Sequence, residues 1–193
     1  MMENVKIMND SDLIQDFLAR YENALLKTDV SKELLQLKQD LLAIQEKGKK
    51  VIIAGNGGSA AMASHVTVDF SKQGNVRTVN FNEADLITCF ANDYGFEHWI
   101  AEALKVYADN GDMVILISSS GTSVNMVNAA HAAKNLGLQV VTFTGFSEDN
   151  PLKQLGDVNV WLDSKAYNII ENTHQIWLLM LCDLLVGSAE YSA

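Results

Sequence analysis

Between Asp12 and Glu46 the apolar residues Leu13, Phe17, Leu18 and Leu25, then Leu34, Leu35, Leu37, Leu41 and Leu42, fall largely at three- and four-residue spacing. That spacing predicts two amphipathic helices. The pattern lapses at Thr28-Asp29-Val30-Ser31, which separates them. Ser11 and Ser31 are the expected N-caps, and Gly48 closes the second helix. From Lys49 onward the period changes. Val51-Ile52-Ile53-Ala54 is a short β-rich run that enters Gly55-Asn56-Gly57-Gly58-Ser59 and then an alanine-rich helical stretch. The same grammar returns at Met113-Val114-Ile115-Leu116-Ile117, which runs into Ser118-Ser119-Ser120-Gly121-Thr122-Ser123 and a helix from about Val124 to Leu136.

Further strands are expected at Thr78–Phe81, Val140–Thr144 and Val158–Leu162, and helices near Ala84–Ala91, Glu97–Tyr107 and Ile169–Val186. Strands alternating with helices imply an α/β fold, a doubly wound parallel sheet flanked by helices and preceded by an N-terminal helical pair. Residues 1–48 would form that pair and residues 49–193 the α/β core with its C-terminal helix, all in one domain. The single proline, Pro151, falls in a loop.

Composition narrows the partners. A chain of 193 residues, 48% hydrophobic, can bury one well-formed core. Its apolar runs at Val51–Ala54 and Met113–Ile117 stop far short of the roughly 20 residues that span a bilayer, so no membrane segment is expected. Early acidic residues and the lack of an apolar stretch before a cleavage signal point to the cytoplasm. Cys89 and Cys182 both sit in apolar sequence, where reduced, buried thiols are expected. A net charge of -10 with only two arginines, Arg20 and Arg77, argues against nucleic acid as a partner. An anion bound by this chain has to be held by backbone N–H groups and hydroxyls.

Two stretches suit that task. A glycine turn between a strand and a helix lets N–H groups converge on an anion at the positive end of the helix dipole, although tight turns also use glycine for purely steric reasons. The second loop adds Ser118, Ser119, Ser120, Thr122 and Ser123, five hydroxyls at another strand-to-helix junction. Neither loop ends in Gly-Lys-Ser/Thr or reads Gly-x-Gly-x-x-Gly, which excludes the P-loop and dinucleotide patterns.

Gly55-Asn56-Gly57-Gly58-Ser59, Ala91-Asn92-Asp93-Tyr94-Gly95 and Ile117-Ser118-Ser119-Ser120-Gly121-Thr122-Ser123 together resemble the sugar isomerase (SIS) domains, with phosphoheptose isomerase the nearest branch. The resemblance runs over about residues 10–187 in the same motif order. It implies a flavodoxin-like fold and a homotetramer with active sites between subunits. It also implies interconversion of sedoheptulose 7-phosphate and D-glycero-D-manno-heptose 7-phosphate, which feeds bacterial surface polysaccharides such as lipopolysaccharide. By the same resemblance Ser59, Ser118, Ser120 and Ser123 would hold the phosphate, with Gly57 and Ser119 in the same loops, while Asn56 and Asp93 would contact the sugar.

Aldose–ketose isomerisation passes a proton between adjacent carbons through an enediol, and so needs a base, an acid and a group that polarises the carbonyl. His65 and Asp69 lie four residues apart on one predicted helix, and Glu171 and His174 three apart on another, so each pair shares a helix face. Together they are a candidate N and O donor set for Zn²⁺. Taken singly, each pair also fits an ordinary helix-surface pair or a core histidine.

The resembled family carries a His and a Glu on the first of these helices and a Gln and a second His on the last. Here His65 matches, Asp69 is one methylene shorter than the Glu, Glu171 replaces the Gln and Leu179 stands where the last His would be. Leucine neither ligates a metal nor transfers a proton. Glu171 is therefore expected to act as base, with His65, Asp69 and His174 as metal ligands or proton donors. Lys72 is the nearest cation that could balance a phosphate, and His98 and His131 are expected to be structural or surface residues. The competing expectation is a non-catalytic SIS module that senses a sugar phosphate or binds a partner protein. Surplus apolar surface on the first two helices and on Ile176–Leu181 favours self-association.

Overall fold

The computed structural model describes residues 8–191; the first seven residues, on which the cytoplasmic expectation partly rests, lie outside them. Helix α1 spans Asp10–Glu22 and continues into a π-helical turn, Asn23–Lys27, before α2, Ser31–Glu46. The alternating part follows as β1 (Val51–Gly55), α3 (Gly58–Lys72), β2 (Thr78–Asn80), α4 (Ala84–Tyr94), α5 (Trp99–Tyr107), β3 (Met113–Ser118), α6 (Val124–Asn135), β4 (Gln139–Thr144), β5 (Val158–Trp161) and α7 (Tyr167–Val186). The caps differ from expectation. Asn9, not Ser11, caps α1 by accepting from the Asp12 N–H, and the Asp29 carboxylate accepts the Ser31 N–H at 2.9 Å. Asn and Asp oxygens reach these free amides as well as a serine does.

The five strands are all parallel in the order β2-β1-β3-β4-β5. In register, Ile53 lies beside Ile115 and Ile115 beside Val141. These residues, with Val51, Ile117 and Phe143, point to a core built with α2, α3 and α7. Their chain neighbours Ile52, Ala54, Val114, Leu116 and Val140 point to a second core under α5 and α6. Side chains alternate across a strand, and helices cover both faces here, so the strands read as unbroken apolar runs.

Helix α7 has the length and apolarity to cross a bilayer, but Ile169, Ile170, Trp177, Leu178 and Leu181 bury it in the sheet core. Trp177 is among the largest fully buried side chains, and truncating such a residue costs about 3–5 kcal/mol.

At the amino end of the sheet Lys50 and Asp112 form a buried pair, Nζ to Oδ2 at 2.6 Å. The same aspartate accepts the Lys50 and Asp109 backbone N–H groups. The functional residues lie at the other end, where β1 and β3 send α3 and α6 to opposite faces. Divergence of this kind opens a crevice beyond the carboxyl ends of the strands.

Candidate active site

The crevice holds a cavity of about 120 Å³ lined by Asn56 and Ser59 from the first loop, by Ile117, Ser118, Ser119, Ser120 and Ser123 from the second, and by Tyr167 and Glu171 of α7. The backbone makes the first loop what it is. A Cβ on Gly55 would lie 2.7 Å from the Ser59 carbonyl carbon, so only glycine lets the strand end run so close to the helix start. Gly57 takes φ +54° as the residue before α3, a conformation that suits glycine. Its neighbour Gly58 lies against the Glu171 carboxylate, which a methyl group there would push aside.

The second loop presents its hydroxyls to the cavity. Ser120 Oγ accepts from the Thr122 N–H and hydroxyl, Ser118 and Ser123 lie 3.5 Å apart, and the buried Ser119 hydroxyl has no partner among the described residues. Behind the loop Asn150 is buried, donating to the Ser147 carbonyl and accepting from the Lys153 N–H, while Leu152 N–H donates to the Gly121 carbonyl. Among the described residues no lysine or arginine lines the cavity. The positive ends of α3 and α6 open on it, and its hydroxyls and amides supply the specific contacts for an anion.

Beside the cavity runs the contact between α3 and α7. His65 Nε2 lies 3.2 Å from Asp69 Oδ2, with the imidazole 57% and the carboxylate 26% exposed. Gln175 of α7 brings its amide nitrogen to 3.1 Å from His65 Nδ1. Asp69 also lies close enough to Cys182 to reinforce burial in pushing that thiol up from its usual range, which leaves it a reduced, inert core residue.

Several expected residues stand elsewhere. His174 is no partner to His65. It is wholly buried, donates from Nε2 to the Thr144 carbonyl at 3.1 Å, and packs edge-on against Phe143. Three-residue spacing from Glu171 turns it about 60° around the helix, far enough to enter the sheet core. Desolvation holds it neutral, pushed down to about 4. Asp93 does not line the cavity; it lies on α4, where it accepts from Asn92 Nδ2 at 2.9 Å. Cys89 is exposed rather than buried, because its turn of α4 faces away from the core. Lys72 closes α3, roughly 20 Å along the helix from Gly58, and cannot balance an anion there.

The zinc donor set expected from the sequence does not fit this arrangement. Leu179 offers no donor, His174 is in the core, and both nitrogens of His65 are engaged. Among the described residues no three His, Cys, Asp or Glu side chains converge as a metal site.

Two loops of this form on a sheet of this order are shared with known proteins. The family model described as SIS domain matches residues 16–145. The chain belongs to the SIS domain family. Within it, the SIS domain described here is 34% identical over 157 residues to the phosphoheptose isomerase of Fusobacterium nucleatum, covering 79% of this chain and 80% of that protein. It is 30% identical over 183 residues to the phosphoheptose isomerase of Helicobacter pylori, covering 90% and 94%. A phosphoheptose isomerase structure from Francisella tularensis has the same fold, with a TM-score of 0.87 at 24% identity over 94% of this chain and all of the other. Sequence reasoning missed Gln175, Asn125, Asn150 and Tyr167. The stripe Glu171, Gln175, Leu179 at four-residue spacing was the signal that could have revealed Gln175.

Proposed function

We propose that this SIS domain is an aldose–ketose isomerase of phosphorylated sugars, and that it interconverts sedoheptulose 7-phosphate and D-glycero-D-manno-heptose 7-phosphate. The observation that carries the reading is the juxtaposition of a hydroxyl-lined cavity with proton-handling side chains on the adjoining α3–α7 contact. The relatives named phosphoheptose isomerase support the choice of sugar. The phosphate sits in the cavity, on Ser59, Ser118, Ser119, Ser120 and Ser123, and the chain of the sugar extends toward α7.

In the ketose-to-aldose direction a base removes a proton from C1 while an acid protonates the C2 carbonyl oxygen, giving the 1,2-enediol. The C1 hydroxyl then releases its proton as C2 takes one up, which yields the aldehyde. No co-reactant is consumed. Glu171, at the boundary between cavity and helix contact, acts as the base, and the His65–Asp69 pair serves the oxygens. Leu179 favours the alternative of a sugar-phosphate sensor, since it removes a polar group from this stripe.

Incubation with sedoheptulose 7-phosphate in deuterated water, followed by NMR, separates the two. Aldose carrying deuterium at C2 is the expected product. Binding without exchange would make the domain a sensor.

A further inference from the structure

Gln175 has no part in that scheme, yet it holds the ring at the centre of the helix contact. Its amide nitrogen is 3.1 Å from His65 Nδ1, while Nε2 of the same ring is 3.2 Å from Asp69 Oδ2. A carboxylate only accepts, so Nε2 carries a proton. In the neutral ring Nδ1 is then a lone pair, and the Gln175 NH₂ donates to it. Glu171, Gln175 and Leu179 follow one another at four-residue spacing, and all three are half-buried on one stripe of α7. Glu171 meets Gly58 and Gln175 meets His65, which sets this stripe against α3.

We propose that Gln175 takes the place of a metal ion in this site: it fixes His65 as the Nε2–H tautomer against Asp69, so that Gln175, His65 and Asp69 form a hydrogen-bonded chain across the α3–α7 contact. Gln175 is a positioning residue. It leaves neither ring nitrogen open to coordination, and at the position one turn farther along the stripe Leu179 supplies no ligand. Glutamine suits the task because its amide is donor on one side and acceptor on the other. Turned over, its oxygen accepts from Nδ1–H, so the ring keeps its seat in either charge state. A metal ion holds only the lone pair. The charged side chain against the ring is Asp69; on the facing helix α7 the carboxylates are Glu171, one turn before Gln175 and against Gly58, and Asp183, two turns after it and bonded to the Tyr191 hydroxyl. The kinetic consequence rests on the isomerase reading, whereas the tautomer and the lack of metal affinity do not.

The test is long-range ¹H–¹⁵N NMR of the His65 ring in the wild type, Gln175→Leu and Gln175→Glu. The wild type is expected to show a protonated Nε2 and a bare Nδ1. Gln175→Leu, which frees the ring to turn away from Asp69, should give a mixture of tautomers, and Gln175→Glu, which sets a second acceptor against the ring opposite Asp69, should leave both nitrogens protonated. With sedoheptulose 7-phosphate, Gln175→Leu should lower kcat about tenfold or more and change KM by less than about threefold. The wild type should show no Co²⁺ ligand-field absorption and keep its rate in EDTA. The double variant Gln175→Leu, Leu179→His, which frees the ring and adds a donor, should gain the Co²⁺ spectrum.

An unchanged tautomer in Gln175→Leu overturns the proposal, as does a wild type that binds one Co²⁺ through His65 or loses turnover in EDTA. A wild type that folds, shows the Nε2–H ring and binds no Co²⁺ but exchanges no substrate protons would refute the isomerase reading while leaving the role of Gln175 standing.

Discussion

The side-chain amides of Asn56 and Asn125 exchange both of their hydrogen bonds, at 2.9 Å and 2.8 Å, and so tie the glycine loop after β1 to the first turn of α6. Asn125 is buried, and each half of the pair is satisfied by the other. Asn125→Asp removes one donor and places a negative charge beside the hydroxyl cavity. Inorganic phosphate should bind about tenfold more weakly to this variant in calorimetry, while Asn125→Leu, which lacks the charge, should lose about 1–2 kcal/mol of stability in urea unfolding.

Gly58 and Glu171 form the next junction. A methyl group at position 58 displaces the carboxylate without touching the serine loop. Gly58→Ala and Glu171→Gln should both lower kcat, the second by about 10²–10⁴-fold, with phosphate affinity nearly unchanged. Deuterium exchange into substrate and phosphate calorimetry on the same samples check the split. A Glu171→Gln variant at wild-type rate would remove that residue from the mechanism.

Burial of His174 predicts a pH dependence of stability. Desolvation pushes its folded-state value down to about 4, below the 6.5 of the free side chain. Above 6.5 the ring is neutral whether the chain is folded or not. Between 6.5 and 4 the unfolded chain binds a proton that the folded one refuses, so stability falls with pH, by about 3 kcal/mol across the window. His174→Gln, which keeps a donor for the Thr144 carbonyl, should flatten the urea-unfolding free energy over that range.

Asp112 is a stability prediction at the other end of the sheet. It is 1% exposed and answers Lys50 Nζ together with two backbone amides. Asp112→Asn leaves the lysine, itself 11% exposed, with only the exposed Asp109, and should destabilise the fold by about 3 kcal/mol in urea with little effect on phosphate binding.

Helix α1 buries no residue within the single chain, and Leu13, Ile14 and Leu18 are exposed on it, as are Ile176 and Met180 on α7. Apolar area of this kind favours a closed assembly of copies, and we propose the homotetramer. Light scattering should show it at micromolar concentration, and the double variant Leu13→Glu, Leu18→Glu should shift the chain to smaller species.

The sheet was legible because its strands are buried on both faces, so that runs such as Val51–Ala54 and Met113–Ile117 leave little choice of element. The two loops were legible because glycine and serine clusters follow such runs directly. The helix contact was not. Whether His174 or Gln175 turns toward His65 depends on one residue's rotation of α7 over the sheet, about 100°, and packing of Trp177 and Ile170 decides it. Cys89 looked buried for a similar reason: its neighbours are apolar, but α4 buries no residue completely. Caps at Asn9 and Asp29 escaped because several side chains within reach can serve the same free amides.

The order of the strands has a wider consequence. The serine loop is anchored by β3 and braced by Asn150 next to β4, whereas His65, Asp69, Glu171 and Gln175 all belong to two helices on one face. In the proposed mechanism the mooring of the phosphate rests mainly on the two loops and the remaking of bonds on the helix contact, with Ser59 of α3 and Glu171 of α7 at the seam between them. On that reading exchanges at 175 and 179, neither of which lines the cavity, would alter the reaction while the anchor stays as it was, and an engineer could graft a new chemistry onto that stretch of α7 without rebuilding the hold on the phosphate.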